Sequence, residues 1–238
     1  MSDLPLRGHT ALVTGASRGI GGAVADRLAE EGAEVWLLSR PSDALEARAA
    51  RLGGRALPAD ITDEDALWEA LDHLQDATGG PPAIVVNAAG AFGLSSCASE
   101  TVLAFDRQIA VNLRGTFLVV RALLPAMLER GDGVIVNVGS VAGRKGIAGN
   151  AAYSASKFGV RGFHEVLLEE LRGTGVRATL VEPSATDTTL WDELDPDSDP
   201  ALPSRGAMLR PADVADAVLF LATRPAHVRI PLLQIERA

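Results

Sequence analysis

From residue 10 onward, short runs of β-branched and aliphatic residues alternate with longer stretches whose apolar positions recur at helical spacing. Such alternation is the pattern of a parallel sheet buried on both faces by crossover helices. The predicted strands are Thr10–Thr14, Glu34–Leu38, Arg55–Leu57, Ala83–Val86, Gly133–Val138, Arg177–Val181 and Val228–Ile235, with helices in the gaps. Thr62-Asp-Glu-Asp65 resembles a capping box, and Arg210-Pro-Ala-Asp213 places proline at a helix start. The expected fold is α/β: a Rossmann-like, doubly wound parallel sheet of about seven strands with helices on both faces. With 238 residues and no internal repeat, residues 1–238 read as one dinucleotide-binding and catalytic domain.

The stretch 184–210 breaks the alternation. Pro196, Pro200 and Pro203 interrupt it, and Asp192, Glu193, Asp195, Asp197 and Asp199 make it acidic. This composition predicts a mobile substrate loop, since a long loop in a compact domain is usually functional. The net charge of −9 argues against nucleic acid or an anionic membrane surface as partner. The N-terminus lacks a signal-peptide core and no apolar run approaches a membrane span, so a cytoplasmic protein acting on small molecules is expected. Cys97, the only cysteine, excludes an intramolecular disulfide and reads as a bystander in a Gly/Ser-rich loop. His9, His73, His164 and His227 have no ligand spacing, and no metal is expected.

Chemistry concentrates at Tyr153-Ser-Ala-Ser-Lys157, which joins the only tyrosine to one of two lysines. Residues four apart share a helix face, so an ammonium at Lys157 lies beside the phenol and favours phenolate. A tyrosine whose pKa starts near 10 then moves toward working pH as a general acid or base. The bland alternative is a surface tyrosine beside a solvated lysine. Near the N-terminus, Ala11-Leu-Val-Thr14 leads into Gly15-Ala-Ser-Arg-Gly19-Ile-Gly21 and then a helical pattern. Glycines at such a turn let a phosphate approach, and the helix N-terminus favours an anion. The spacing is Gly-x-x-x-Gly-x-Gly rather than the usual dinucleotide fingerprint, and by itself it is also compatible with a plain βα turn. Gly15 and Gly21 follow the first predicted strand, Asn87–Gly90 the fourth, Ser140 the fifth and Pro183 the sixth, at the carboxyl ends where open parallel sheets bind ligands.

Taken in order, Thr14-Gly-Ala-Ser-Arg-Gly-Ile-Gly21, Asp60, Asn87-Ala-Ala-Gly90, Asn112, Ser140, Tyr153-x-x-x-Lys157 and Pro183-Ser-Ala-Thr-Asp-Thr188 resemble the short-chain dehydrogenase/reductase family over almost the whole chain. The resemblance implies hydride transfer between a nicotinamide cofactor and a carbonyl carbon, with Tyr153 giving its proton to the developing alkoxide. It further implies that Ser140 holds the carbonyl oxygen, that Lys157 depresses the Tyr153 pKa and binds the nicotinamide ribose, and that Asn112 helps seat a water. For the cofactor it implies Gly15, Ser17, Arg18, Gly19, Ile20 and Gly21 at the phosphates and Asp60 and Ile61 at the adenine. Asn87, Ala88, Ala89 and Gly90 would lie at the nearer ribose, with Pro183, Ala185 and Thr188 toward the carboxamide. Ser39 stands where an NAD-selecting acid is expected, and Arg40 and Arg18 can hold a 2′-phosphate, so NADP(H) is expected over NAD(H).

Three departures from the family pattern stand out: Ala88 for a second asparagine, Ser184 for a glycine, and a C-terminus without the glycine-rich ending of tetrameric members. Apolar faces on helices at 102–128 and 151–172 suit the family's dimer interface, and a homodimer or homotetramer is expected. Phe92, Leu94, Ala142, Ile147, Ala185, Trp191 and Met208 suggest an apolar cleft, while Arg144 and Lys145 could instead anchor one carboxylate. The expected activity is carbonyl–alcohol interconversion on a small, largely apolar substrate. A dehydrogenase of small hydroxy acids is the alternative, and a non-catalytic NADP-binding sensor or scaffold is the alternative of another class.

Overall fold

The computed structural model describes residues 4–238. Its seven strands are β1 Thr10–Thr14, β2 Glu34–Ser39, β3 Arg55–Pro58, β4 Ile84–Asn87, β5 Gly133–Val138, β6 Val176–Pro183 and β7 Leu232–Ile235. They form one sheet in the order β3-β2-β1-β4-β5-β6-β7, parallel throughout. Strand order reverses between β1 and β4, which opens a crevice beyond their carboxyl ends. Helices α1 Gly19–Glu30, α2 Asp43–Leu52, α3 Glu64–Thr78, α4 Val102–Ile109, α5 Gly115–Arg130, α6 Ala151–Glu170 and α7 Pro211–Ala222 complete the chain.

Side chains alternate across the pleat and so feed two cores. Ala11, Val13, Val35 and Leu37 join Val24 and Leu28 of α1 and Val214 and Val218 of α7. Leu12, Trp36 and Leu38 face the other way, against Leu67, Leu71 and Leu74 of α3 and Leu118 and Leu123 of α5. Burial on both faces is why these strands read as continuous apolar runs.

Several elements depart from expectation. The helix expected from residue 102 is one continuous rod, but it passes through a π-helical segment at Ala110–Arg114 between α4 and α5. That rod, Val102–Arg130, is long and apolar enough by length and composition to cross a membrane, contrary to the sequence reading. It packs instead against the sheet through Leu118, Val119, Leu123 and Met127. Thr62 does not cap α3: the N-cap is Asp63, whose carboxylate accepts from Ala66 N at 3.2 Å, while the Thr62 hydroxyl donates to Asp60. Pro211 does open α7, where Asp213 accepts from Arg210 N at 2.8 Å. β7 is shorter than expected, because Val228–Pro231 precede the ladder as irregular chain.

Candidate active site

The turn after β1 leaves no room for side chains. A Cβ on Gly15 would stand 2.7 Å from Ala89 Cα, and one on Gly21 would stand 2.5 Å from Gly15 O. Gly15 and Gly19 also have φ of +67° and +57°, which L side chains rarely adopt. Thr14 Oγ1 accepts from the N–H groups of Ala88 and Ala89, each at 3.1 Å, stitching the β1 and β4 turns together. The N-cap of α1, Arg18, supplies no side-chain hydrogen bond, so the first amides of the helix remain available to an anion.

This turn borders a cavity of about 680 Å³. Gly15, Ser17, Arg18, Gly19, Ile20, Gly21, Arg40, Asp60, Ile61, Ala88, Ala89, Gly90 and Thr188 line it, together with Arg107, which the sequence reading missed. Asn87, Pro183, Ala185 and the catalytic candidates lie outside its lining. Arg18 and Arg40 are exposed and have no ion pair or side-chain hydrogen bond among the described residues, whereas Arg27, Arg48 and Arg51 are all held by acids. Ser39 Oγ donates to Arg40 O at 3.2 Å and puts no charge beside the two guanidiniums. Asp60 Oδ1 accepts from Thr62 N at 2.9 Å and Thr62 Oγ1 at 2.7 Å, leaving its second oxygen unbonded. A cavity of this size with a glycine cradle, open helix amides and two unpaired arginines fits a phosphorylated dinucleotide.

Deeper in, four polar residues converge. Lys157, 5% exposed, lies one turn beyond Tyr153 on α6. Its Nζ donates to Val138 O at 2.8 Å and stands 5.7 Å from the Tyr153 ring centroid. Ser140, just past β5, accepts from Ala142 N at 3.1 Å and lies close enough to the Tyr153 phenol to draw its pKa down. Asn112, wholly buried in the π segment, accepts from Ala91 N at 2.7 Å and donates to Ala91 O and Ser156 Oγ, both at 2.9 Å. Ser156 passes the link to Tyr153 O at 2.7 Å. Sequence reading missed Thr14 and Ser156, although both lie within the motifs it used. The Asn112 backbone carbonyl accepts from Thr116 Oγ1 at 2.8 Å.

The electrostatics differ from expectation. Burial pushes the Tyr153 phenol above its ordinary value, and only the neighbouring Ser140 hydroxyl opposes it. Burial also lowers Lys157 to about 8. The expected depression of Tyr153 by Lys157 is therefore not present in this state: desolvation disfavours both charged forms, and the ammonium bonds a carbonyl instead of the phenol.

On the substrate side, Phe92 stands edge-on to Tyr153 and tilted against Trp191, with centroids 4.8 Å apart in both pairs. Leu94 and Ala185 are partly exposed and Ile147 is exposed, but Ala142 and Met208 are buried and do not line a cleft. Arg144 is held by Glu182 and Glu236, which removes it as a substrate anchor; Lys145 has no such partner among the described residues. Ion pairs brace the acidic loop. Arg205 binds Asp187 at 2.5 Å and Asp192 at 2.6 Å, and its amide donates to Asp197. Leu209 pairs with Ala185 and Asp187 to close the loop's base.

Residues 9–199 match the family model for short chain dehydrogenase. A D-threitol dehydrogenase of Mycolicibacterium smegmatis is 37% identical over 233 residues, covering 94% of this chain and 89% of that protein. A metagenomic short-chain oxidoreductase in complex with NADP superposes with a TM-score of 0.82 at 34% identity, covering 98% of this chain and 99% of that one. The closed form of a serine dehydrogenase complexed with NADP+ gives 0.88 at 32% identity, covering 95% and 94%.

Proposed function

The chain belongs to the short-chain dehydrogenases, NAD(P)-dependent oxidoreductases, and on that premise we propose that it uses NADP(H) to interconvert a carbonyl and an alcohol on a small, largely apolar substrate. Tyr153 is the acid/base, Ser140 the oxygen-holding donor, Lys157 the ribose-binding cation and Asn112 the residue that locks α6 to the Ala91 loop. The bound cofactor supplies or accepts the hydride. During reduction Tyr153 releases its phenolic proton to the developing alkoxide, and a phenol held protonated by burial is in the right form for that step. Ser140, beside the phenol, places a second donor at the same oxygen.

Unpaired Arg18 and Arg40 at the cavity rim, beside uncharged Ser39, carry the preference for the 2′-phosphate. Relatives solved with NADP are consistent with that preference. Glycine cradle, Asp60, Ile61, Asn87 through Gly90, Pro183, Ala185 and Thr188 form the remaining cofactor contacts of this reading. Phe92 and Trp191 against Tyr153 favour an apolar substrate group. Action on small hydroxy acids is the second reading, favoured by the name of the serine dehydrogenase relative and by Lys145, which has no partner among the described residues. The whole chain acts as one catalytic domain in the cytoplasm. Exposed Val102, Leu103, Phe117, Phe158 and Val166 supply the apolar faces of a homodimer.

Binding of NADPH and NADH to the purified protein, followed by cofactor absorbance with ketones, aldehydes and hydroxy acids, tests this function. Tighter NADPH binding with turnover of a carbonyl is expected. Equal binding of both cofactors would remove the NADP preference, and binding without any turnover would leave a sensor as the better reading.

A further inference from the structure

Glu182 is the only buried acid among the described residues, 1% exposed at the end of β6. Its stem passes Gly139, where an added Cβ would stand 3.4 Å from Glu182 Cγ, directly before Ser140. Oε1 accepts from Arg161 Nη1 at 2.8 Å. Oε2 lies 3.5 Å from Arg144 Nε and accepts from Gln234 Nε2 at 3.4 Å. Arg144 also pairs with Glu236 beyond β7, and Arg161 with Glu165 on α6 at 3.2 Å.

The placement of the two arginines is informative. Arg161 lies one helical turn beyond Lys157 on α6. Arg144 ends the short helical turn that Ser140 begins. That turn presses on α6 so closely that a Cβ on Gly143 would stand 2.8 Å from Lys157 O. One carboxylate therefore holds both the element carrying Ser140 and the element carrying Tyr153 and Lys157. A buried ion pair contributes little net stability compared with apolar residues of similar volume, so stability alone is a poor account of an acid here. Alignment of donors is a better one, because displacements on the order of 1 Å cost about 100-fold in rate.

We propose that Glu182 is a positioning residue: through Arg161 and Arg144 it sets the Ser140 turn against the Tyr153–Lys157 face of α6. The proposal rests on Tyr153 and Ser140 acting as assigned above. The test is the double variant Glu182→Met/Arg161→Met, which removes the buried carboxylate with its closest guanidinium and leaves Arg144 paired with Glu236. Four quantities are measured: the melting temperature, NADPH affinity, kcat per NADPH-binding site, and the phenolate absorbance titration of Tyr153, the chain's only tyrosine.

The expected variant melts and binds NADPH as wild type does, yet turns over about 10- to 100-fold more slowly. Its tyrosine titrates higher, because the Ser140 hydroxyl that opposes burial moves away from the phenol. A stable variant with wild-type kcat and an unchanged tyrosine titration would overturn the proposal. Should the double variant not fold, Glu182→Gln keeps the side-chain shape but releases Arg144. A lower kcat per NADPH-binding site then supports the proposal, and a wild-type value overturns it. If wild type itself reduces no carbonyl, the oxidoreductase assignment falls, while the tyrosine titration still decides whether Glu182 sets the Ser140–Tyr153 contact.

Discussion

Tyr153 and Lys157 stand one turn apart on α6, and desolvation acts on each differently: the phenol is held protonated and the ammonium is driven toward neutrality at about 8. The lysine has a consequence for stability. Below pH 8 both folded and unfolded chains hold its proton, and the cost of burial is complete. Between about 8 and its ordinary 10.5 the unfolded chain keeps a proton that the folded chain has released, so stability rises with pH across that window. Denaturation of wild type and Lys157→Met over this range should therefore favour wild type progressively; a constant difference would place the lysine in water. At the cavity rim, Arg40→Ala should weaken NADPH far more than NADH, measured by fluorescence titration, and equal losses would mean that another group holds the phosphate. Residue identities were legible because motif spacing exposes them. The direction of the Tyr153 shift was not, since it depends on burial and on Val138 O capturing the ammonium, neither of which a spacing reveals.

At the level of elements, apolar runs located all seven strands because both faces of the sheet are covered. The π segment at Ala110–Arg114 was invisible: its extra residue per turn barely disturbs the apolar periodicity, yet it belongs to the one buried asparagine that ties α6 to the Ala91 loop. The bracing of the acidic loop was illegible for a different reason. Composition registers Asp187, Asp192 and Asp197 as repelling charges, but the fold brings Arg205 among them. Arg205→Ala should accordingly loosen the segment carrying Trp191 without unfolding the sheet. Hydrogen exchange should speed up at 187–194 and stay unchanged in β1 and β4; unchanged exchange in the loop would mean that the Leu209 pairing suffices to hold it.

Across the whole molecule, the parallel order with its reversal between β1 and β4 gathers the glycine turn, the Asn87–Gly90 loop and the Ser140 turn on one side of the sheet. That arrangement was legible, because strand ends and motifs coincide in the chain. Assembly was less so, since an apolar helix face looks the same whether it meets its own core or a second copy. Phe158 and Val166 remain 47% and 57% exposed on α6, where a second copy would cover them in the proposed dimer. Light scattering should give a dimer or tetramer for wild type and a monomer for Phe158→Glu/Val166→Glu; an unchanged mass would move the interface elsewhere. The account as a whole depends on Tyr153 as the proton donor. Its most direct test is kcat for reduction of a carbonyl substrate by NADPH-saturated Tyr153→Phe beside wild type. The variant should bind NADPH almost as wild type does and lose about 100-fold or more in turnover; undiminished turnover with intact binding would contradict it.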